Sequence, residues 1–175
     1  MNQTPATPRD ATNWVHRLER WMYQGGRPNR LARLMNRAAA HQAAAGRAPE
    51  RLVKLEVPGR RTGRPTSVPL VIADLDARRY LVAMLGERTN WVHNVRAAGG
   101  HAVLRHGIRE RVRLVEVDTA DRAPVLRRYL ACAPGARPHL PVDRRAPLVE
   151  FERIAAHIPV FHIVTDQDGE PHTAL

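Results

Sequence analysis

From Leu52 onward, apolar residues fall at every second position instead of every third or fourth, and this change of period constrains the fold more than any other feature. Period-two segments occupy residues 52–57, 66–73, 79–85, 101–106, 108–117 and 160–164. Strands this short are stable only when several pair and bury a common face. Helical spacing interrupts them at 90–98, 119–131 and 147–157. Strands broken by helices without strict alternation predict an α+β fold, a mostly antiparallel barrel decorated with helices. The dipeptide His106-Gly107 marks a hairpin. Pro69 lies inside the second strand, where its missing N–H calls for an edge position, a bulge, or a backbone turned toward a ligand. In strand 108–117, Arg109, Arg111 and Arg113 share one face, open to water or to an anion.

Around these strands the chain divides into residues 1–9 as a flexible tail, 10–46 as a helical segment, 47–164 as the barrel domain, and 165–175 as a polar tail. The helical segment reads as two helices. Asp10 or Thr12 caps the first, with Trp14, Leu18, Trp21 and Met22 on one face; Pro28 opens the second, which stops near Gly46. A length of 175 residues fits one domain with its own core. The net charge of +11 favours anionic partners, although Lys54 is the only lysine and such an arginine skew also arises from coding bias. A lone cysteine, Cys132, forms no internal disulfide and points to the cytoplasm. No apolar run reaches the roughly 20 residues of a membrane span. The basic amphipathic helices of 10–46 nevertheless allow peripheral membrane contact. Metal-ligand spacings and a nucleophile elbow are absent, so no metal site and no catalytic nucleophile are expected.

Two stretches carry chemistry. Residues 57–70 join the first two strands through Gly59-Arg60-Arg61-Thr62-Gly63-Arg64-Pro65, a turn in which converging amides, a hydroxyl and guanidinium forks suit phosphate or carboxylate oxygens. A basic solvated loop would read the same way. The second stretch runs from the strand at 79–85 through Gly86-Glu87-Arg88-Thr89 into a helix carrying Trp91 and Asn94.

Together, Gly-Arg-x-Thr-Gly-x-Pro-x-x-x-Pro-Leu followed by Gly-x-x-x-x-Trp-x-x-Asn resembles the deazaflavin-dependent nitroreductase and quinone reductase family, over roughly Leu52 to Val117 with a weaker echo at residues 158–161. The resemblance implies a split β-barrel of the flavin-binding type and an oxidoreductase. Its reductant would be reduced coenzyme F-420, an 8-hydroxy-5-deazaflavin with a phosphodiester and an oligoglutamate tail, and its acceptor a quinone, nitro compound or activated alkene. It also implies which residues bind the cofactor: Arg60, Arg61, Thr62, Gly63, Thr66 and Pro69 at the first loop and strand, and Gly86, Arg88, Thr89, Asn90, Trp91 and Asn94 at the second. Trp91 reads equally well as a hydrophobic anchor and Asn94 as a helix-surface residue. Thr66 stands where relatives often carry a basic residue, so Arg64 would have to supply that contact. The irregular stretch 134–147 reads as a substrate-side loop, and within it residues 134–141, with His139, stand in place of a tyrosine-rich substrate segment, which implies a different substrate choice.

Implied partners are a small-molecule electron acceptor and a second copy of the chain. No nucleic-acid partner is expected. The alternatives are an FMN- or haem-binding barrel, or a basic nucleic-acid-binding protein without enzymatic activity. Tyr129, His93 and His139 are proton-donor candidates alongside solvent, and no catalytic residue is assigned.

Overall fold

The computed structural model describes residues 49–165. The expected helices of 10–46, the tail 1–9 and the polar residues after 165 lie outside the described residues. Six strands form a closed barrel: β1 (Leu52–Pro58), β2 (Pro65–Leu75), β3 (Arg78–Val82), β4 (His101–His106), β5 (Ile108–Glu116) and β6 (Val160–Thr165). Around the barrel the order is β1-β2-β3-β6-β5-β4, and every pairing is antiparallel. Among the described residues three helices decorate it: α1 (Asn90–Ala97), α2 (Arg122–Cys132) and α3 (Leu148–Ala155).

Alternation along the strands sorts the side chains. Leu55, Leu81, Val112, Leu114 and Phe161 point into the lumen, joined at one end by Trp91, Val92 and Val95 of α1. On the outside, Ala73, Tyr80, Val82 and Val160 lie under Leu126, Leu130 and Phe151 of α2 and α3. Leu55, Leu81, Leu126 and Leu130 are fully buried, and each such side chain stabilises the fold by roughly 1.5–3 kcal/mol.

Differences from the sequence reading have local causes. The second strand is longer than expected because a two-residue turn at Asp76-Ala77 carries pairing on to Leu75 opposite Arg78. Both turn residues have positive φ, 50° and 59°, as tight hairpin turns require. The third strand stops at Val82 instead of 85, because Ala83 donates to the Pro159 carbonyl and the chain leaves the sheet. Residues 119–121 form a 3-10 turn ahead of α2, and Pro134–His139 forms another inside the segment read as irregular.

Pro69 sits at a free edge. It pairs with Lys54 of β1, while β2 meets β3 only from Ile72 onward. Among the described residues, 65–71 therefore have a strand neighbour on one side only, and a proline costs no ladder bond there.

Candidate functional site

The β1–β2 loop and α1 meet at the same end of the barrel. The turn closes on itself: Gly59 N–H donates to the Arg64 carbonyl at 2.9 Å, and Gly63 N–H donates to the Gly59 carbonyl at 2.8 Å. Thr62 turns its hydroxyl back on the loop, accepting from the Arg64 amide at 3.3 Å. The loop is tied to α1 by Asn94, which is 6% exposed and, with Arg122, one of two buried polar side chains among the described residues. Asn94 Oδ1 accepts from the Arg60 amide and from Arg60 Nη1, both at 3.2 Å. Its Nδ2 donates to Thr66 Oγ1 at 3.2 Å, and Thr66 in turn donates to the Val57 carbonyl at 3.0 Å. Residues from β1, the loop, β2 and α1 thus share one hydrogen-bonded knot.

The second loop reaches α1 directly. Thr89 stands at the helix N-cap, but its hydroxyl donates to the Gly86 carbonyl at 2.7 Å and leaves the first-turn amides without a side-chain cap. The first turn also holds no acidic residue. Such a helix start favours an anion. Gly86 has φ +80°, and a Cβ there would lie 3.1 Å from the His157 carbonyl oxygen, so only glycine fits without strain.

Of the residues expected from sequence, Arg60, Thr66 and Asn94 come together in the knot, while Arg61, Thr62 and Gly63 lie on the exposed turn beside it. Gly86, Arg88, Thr89 and Asn90 lie on the loop leading into α1. Trp91 is a core residue: 6% exposed, its ring centroid stands 5.4 Å from that of Phe161. Asn94 is likewise buried and is no helix-surface residue. Tyr129, on the buried face of α2, is 4% exposed, and burial pushes its hydroxyl well above the ordinary tyrosine range, which makes it a poor proton donor.

The cations decide what the site can hold. Arg61, Arg64 and Arg88 are exposed and make no ion pair among the described residues, so their charge is available to an anion. A cavity of about 380 Å³ at the other end of the barrel has different chemistry. Val53, Ile72 and Leu104 floor it, and its rim is internally paired, Arg79 with Glu110 and Arg51 with Asp74. Among the described residues no cluster of metal-ligating side chains occurs and no helix is long and apolar enough to cross a membrane.

Sequence reasoning missed a set of charged residues behind the second loop. Glu87, Arg96, Glu116 and Arg122 form a continuous ladder of ion pairs. They come from four separate segments, and no spacing in the sequence links them.

The class of protein that fold and site define is a closed antiparallel six-stranded barrel decorated with helices, with two loops and a helix start gathered at one end. The family model described as F420H(2)-dependent quinone reductase matches residues 31–149, and the chain belongs to that family. It is therefore an oxidoreductase whose cofactor is coenzyme F-420. A search of curated proteins found no match. Among solved structures, one described as a domain-swapped dimer is similar at 15% identity with a TM-score of 0.50, covering 88% of this chain and 99% of its own. A structure described as an F420-H2 dependent reductase (FDR-A) gives 16% identity and a TM-score of 0.46 over 66% of this chain and 95% of its own. A FAD-binding protein from Mesorhizobium loti gives 16% identity and a TM-score of 0.45 over 73% and 88%.

Proposed function

We propose that this protein is a cytoplasmic reductase that holds reduced coenzyme F-420 between the β1–β2 loop and the loop leading into α1, and passes its hydride to a quinone. Nitro compounds and activated alkenes are the other acceptors of matching electron demand. The observation that carries the reading is the Arg60–Asn94–Thr66 knot, which fixes the β1–β2 loop against α1, the helix that the second loop leads into, while Arg61, Arg64 and Arg88 make no ion pair among the described residues. When bound, the deazaflavin supplies the hydride from C5.

The chain's own part is to bind, orient and screen. Arg60, Arg61 and Arg64 offer charge-assisted donors to the phosphate, and Arg88 with the first-turn amides of α1 offers a second anion-binding region. The Thr66 hydroxyl is already engaged with Val57 and Asn94, so Arg64 takes over the contact a basic residue would make. The free edge of β2 at residues 65–71 gives a backbone surface for the ring system. Trp91 acts from inside the core, fixing α1 against Phe161. Solvent supplies the proton that accompanies the hydride.

Fluorescence titration of the purified protein with F-420 tests this reading. Saturable binding at micromolar cofactor, followed by oxidation of reduced F-420 on adding a soluble quinone, is the expected result. No spectral change with F-420, or a protein purified with bound flavin or haem, would overturn it.

A further inference from the structure

Among the described residues, the second loop has few ties of its own. Its internal bonds are short-range, Gly86 N–H to the Ala83 carbonyl at 2.7 Å and Thr89 N–H to the Gly86 carbonyl at 3.2 Å, and its backbone is held from outside where Ala83 donates to Pro159. One side chain of the loop reaches elsewhere: both oxygens of Glu87 accept from Arg96, Oε2 from Nη1 at 2.6 Å and Oε1 from Nη2 at 3.2 Å. Arg96, near the end of α1, is itself fixed by Glu116 at the end of β5, through Nε to Oε2 at 2.9 Å and Nη2 to Oε1 at 2.7 Å. Glu116 Oε1 also accepts from Arg122 Nη2 at 3.1 Å. Arg122 is buried, and its remaining donors reach the carbonyls of Val117, Ala155 and Ile158. A rigid base at the α2–α3 junction thus reaches the loop through two bidentate contacts, and every nitrogen of the Arg96 guanidinium is engaged.

We propose that Arg96 is a positioning residue for cofactor binding, holding the Gly86–Thr89 loop in its binding geometry through Glu87 by leaning on Glu116 and buried Arg122. This rests on the reading that the loop binds F-420. Arg96 does not meet the ligand; it removes the ordering cost that a slack loop would charge against binding. A fork-shaped cation is needed, because lysine cannot serve two carboxylates with parallel pairs of bonds.

The test uses full-length Arg96→Met, Arg96→Lys and Glu87→Gln. Hydrogen exchange is read first: amides of residues 85–89 should exchange faster in Arg96→Met and Glu87→Gln, with the amides of β1 and β4 unchanged. F-420 affinity should fall roughly fivefold in Arg96→Met, the order expected for losing partly exposed ion pairs, with kcat at saturating cofactor changed less than twofold. Arg96→Lys should lie between wild type and Arg96→Met, and Glu87→Gln, which cuts only the loop end of the ladder, should follow Arg96→Met. Unchanged exchange at 85–89 overturns the proposal. Faster exchange with unaltered F-420 affinity in a wild type that binds F-420 overturns the link to the cofactor. A wild type that binds no F-420 overturns the functional reading itself, while the exchange result still judges the ladder.

Discussion

Replacing Asn94 separates what the knot does for the fold from what it does for the ligand. Asn94→Ala deletes three hydrogen bonds, two from Arg60 and one to Thr66, each at 3.2 Å. That distance is at the long end of the N–H···O range, and the exposed Arg60 groups can turn to water, so each bond counts at the lower end of about 0.5–1.5 kcal/mol. With the small void left beside Thr66, the total is about 2 kcal/mol, or roughly 4–8 °C in melting temperature for a chain of this size. Asn94→Asp behaves differently. Its oxygen still accepts from Arg60, now as a charge-assisted bond. The oxygen that replaces Nδ2 can only accept, so Thr66 must turn its proton from the Val57 carbonyl to the carboxylate. The charge-assisted bonds offset much of the desolvation, and stability should stay within about 1 kcal/mol of wild type at neutral pH. The same carboxylate neutralises Arg60, so F-420 affinity should fall about tenfold, equivalent to about 1.4 kcal/mol. Thermal melts and F-420 fluorescence titrations of both variants provide the assay. An Asn94→Ala protein that melts with the wild type, or an Asn94→Asp protein that binds F-420 as tightly as wild type, would refute the assignment of Asn94 as the residue that locks the loop and aims Arg60.

Ala77 holds φ at 59° in the β2–β3 turn, a conformation that costs an L-residue roughly 1 kcal/mol, so Ala77→Gly should raise the denaturant midpoint by about 0.5–1 kcal/mol in stability. The Arg79 guanidinium hydrogen-bonded to Glu110 holds that carboxyl below its ordinary value of 4.5, and Arg96 does the same for Glu87. A depressed folded pKa stabilises above the unfolded value and is lost as pH falls through the folded one. Melting temperature should therefore drop on acidification below about pH 4.5, with a shallower acid limb in Glu110→Gln. Arg61→Gln combined with Arg64→Gln should weaken F-420 binding and flatten its dependence on salt without shifting the melt; equal salt slopes for wild type and variant would show that these cations face no anion.

Much of the barrel was legible in the residues themselves. Alternating apolar positions fix a strand's inward face, and glycine with proline fix where the backbone reverses, so all six strands and the His106-Gly107 hairpin were readable from order alone. The two loops that frame the candidate site were readable too, because backbone-permissive glycines beside arginines form local patterns. Strand ends were less so: β3 stops where Ala83 turns to Pro159, a partner 76 positions away in the chain. Burial placed Trp91 in the core and Asn94 off the helix surface, which the sequence left open, since a helix shows its period but not what packs on each face. The ladder from Glu87 to Arg122 had no sequence signal at all. Ion pairs between distant segments depend on where whole elements dock, and docking is settled by the packing of the core, not by any spacing along the chain.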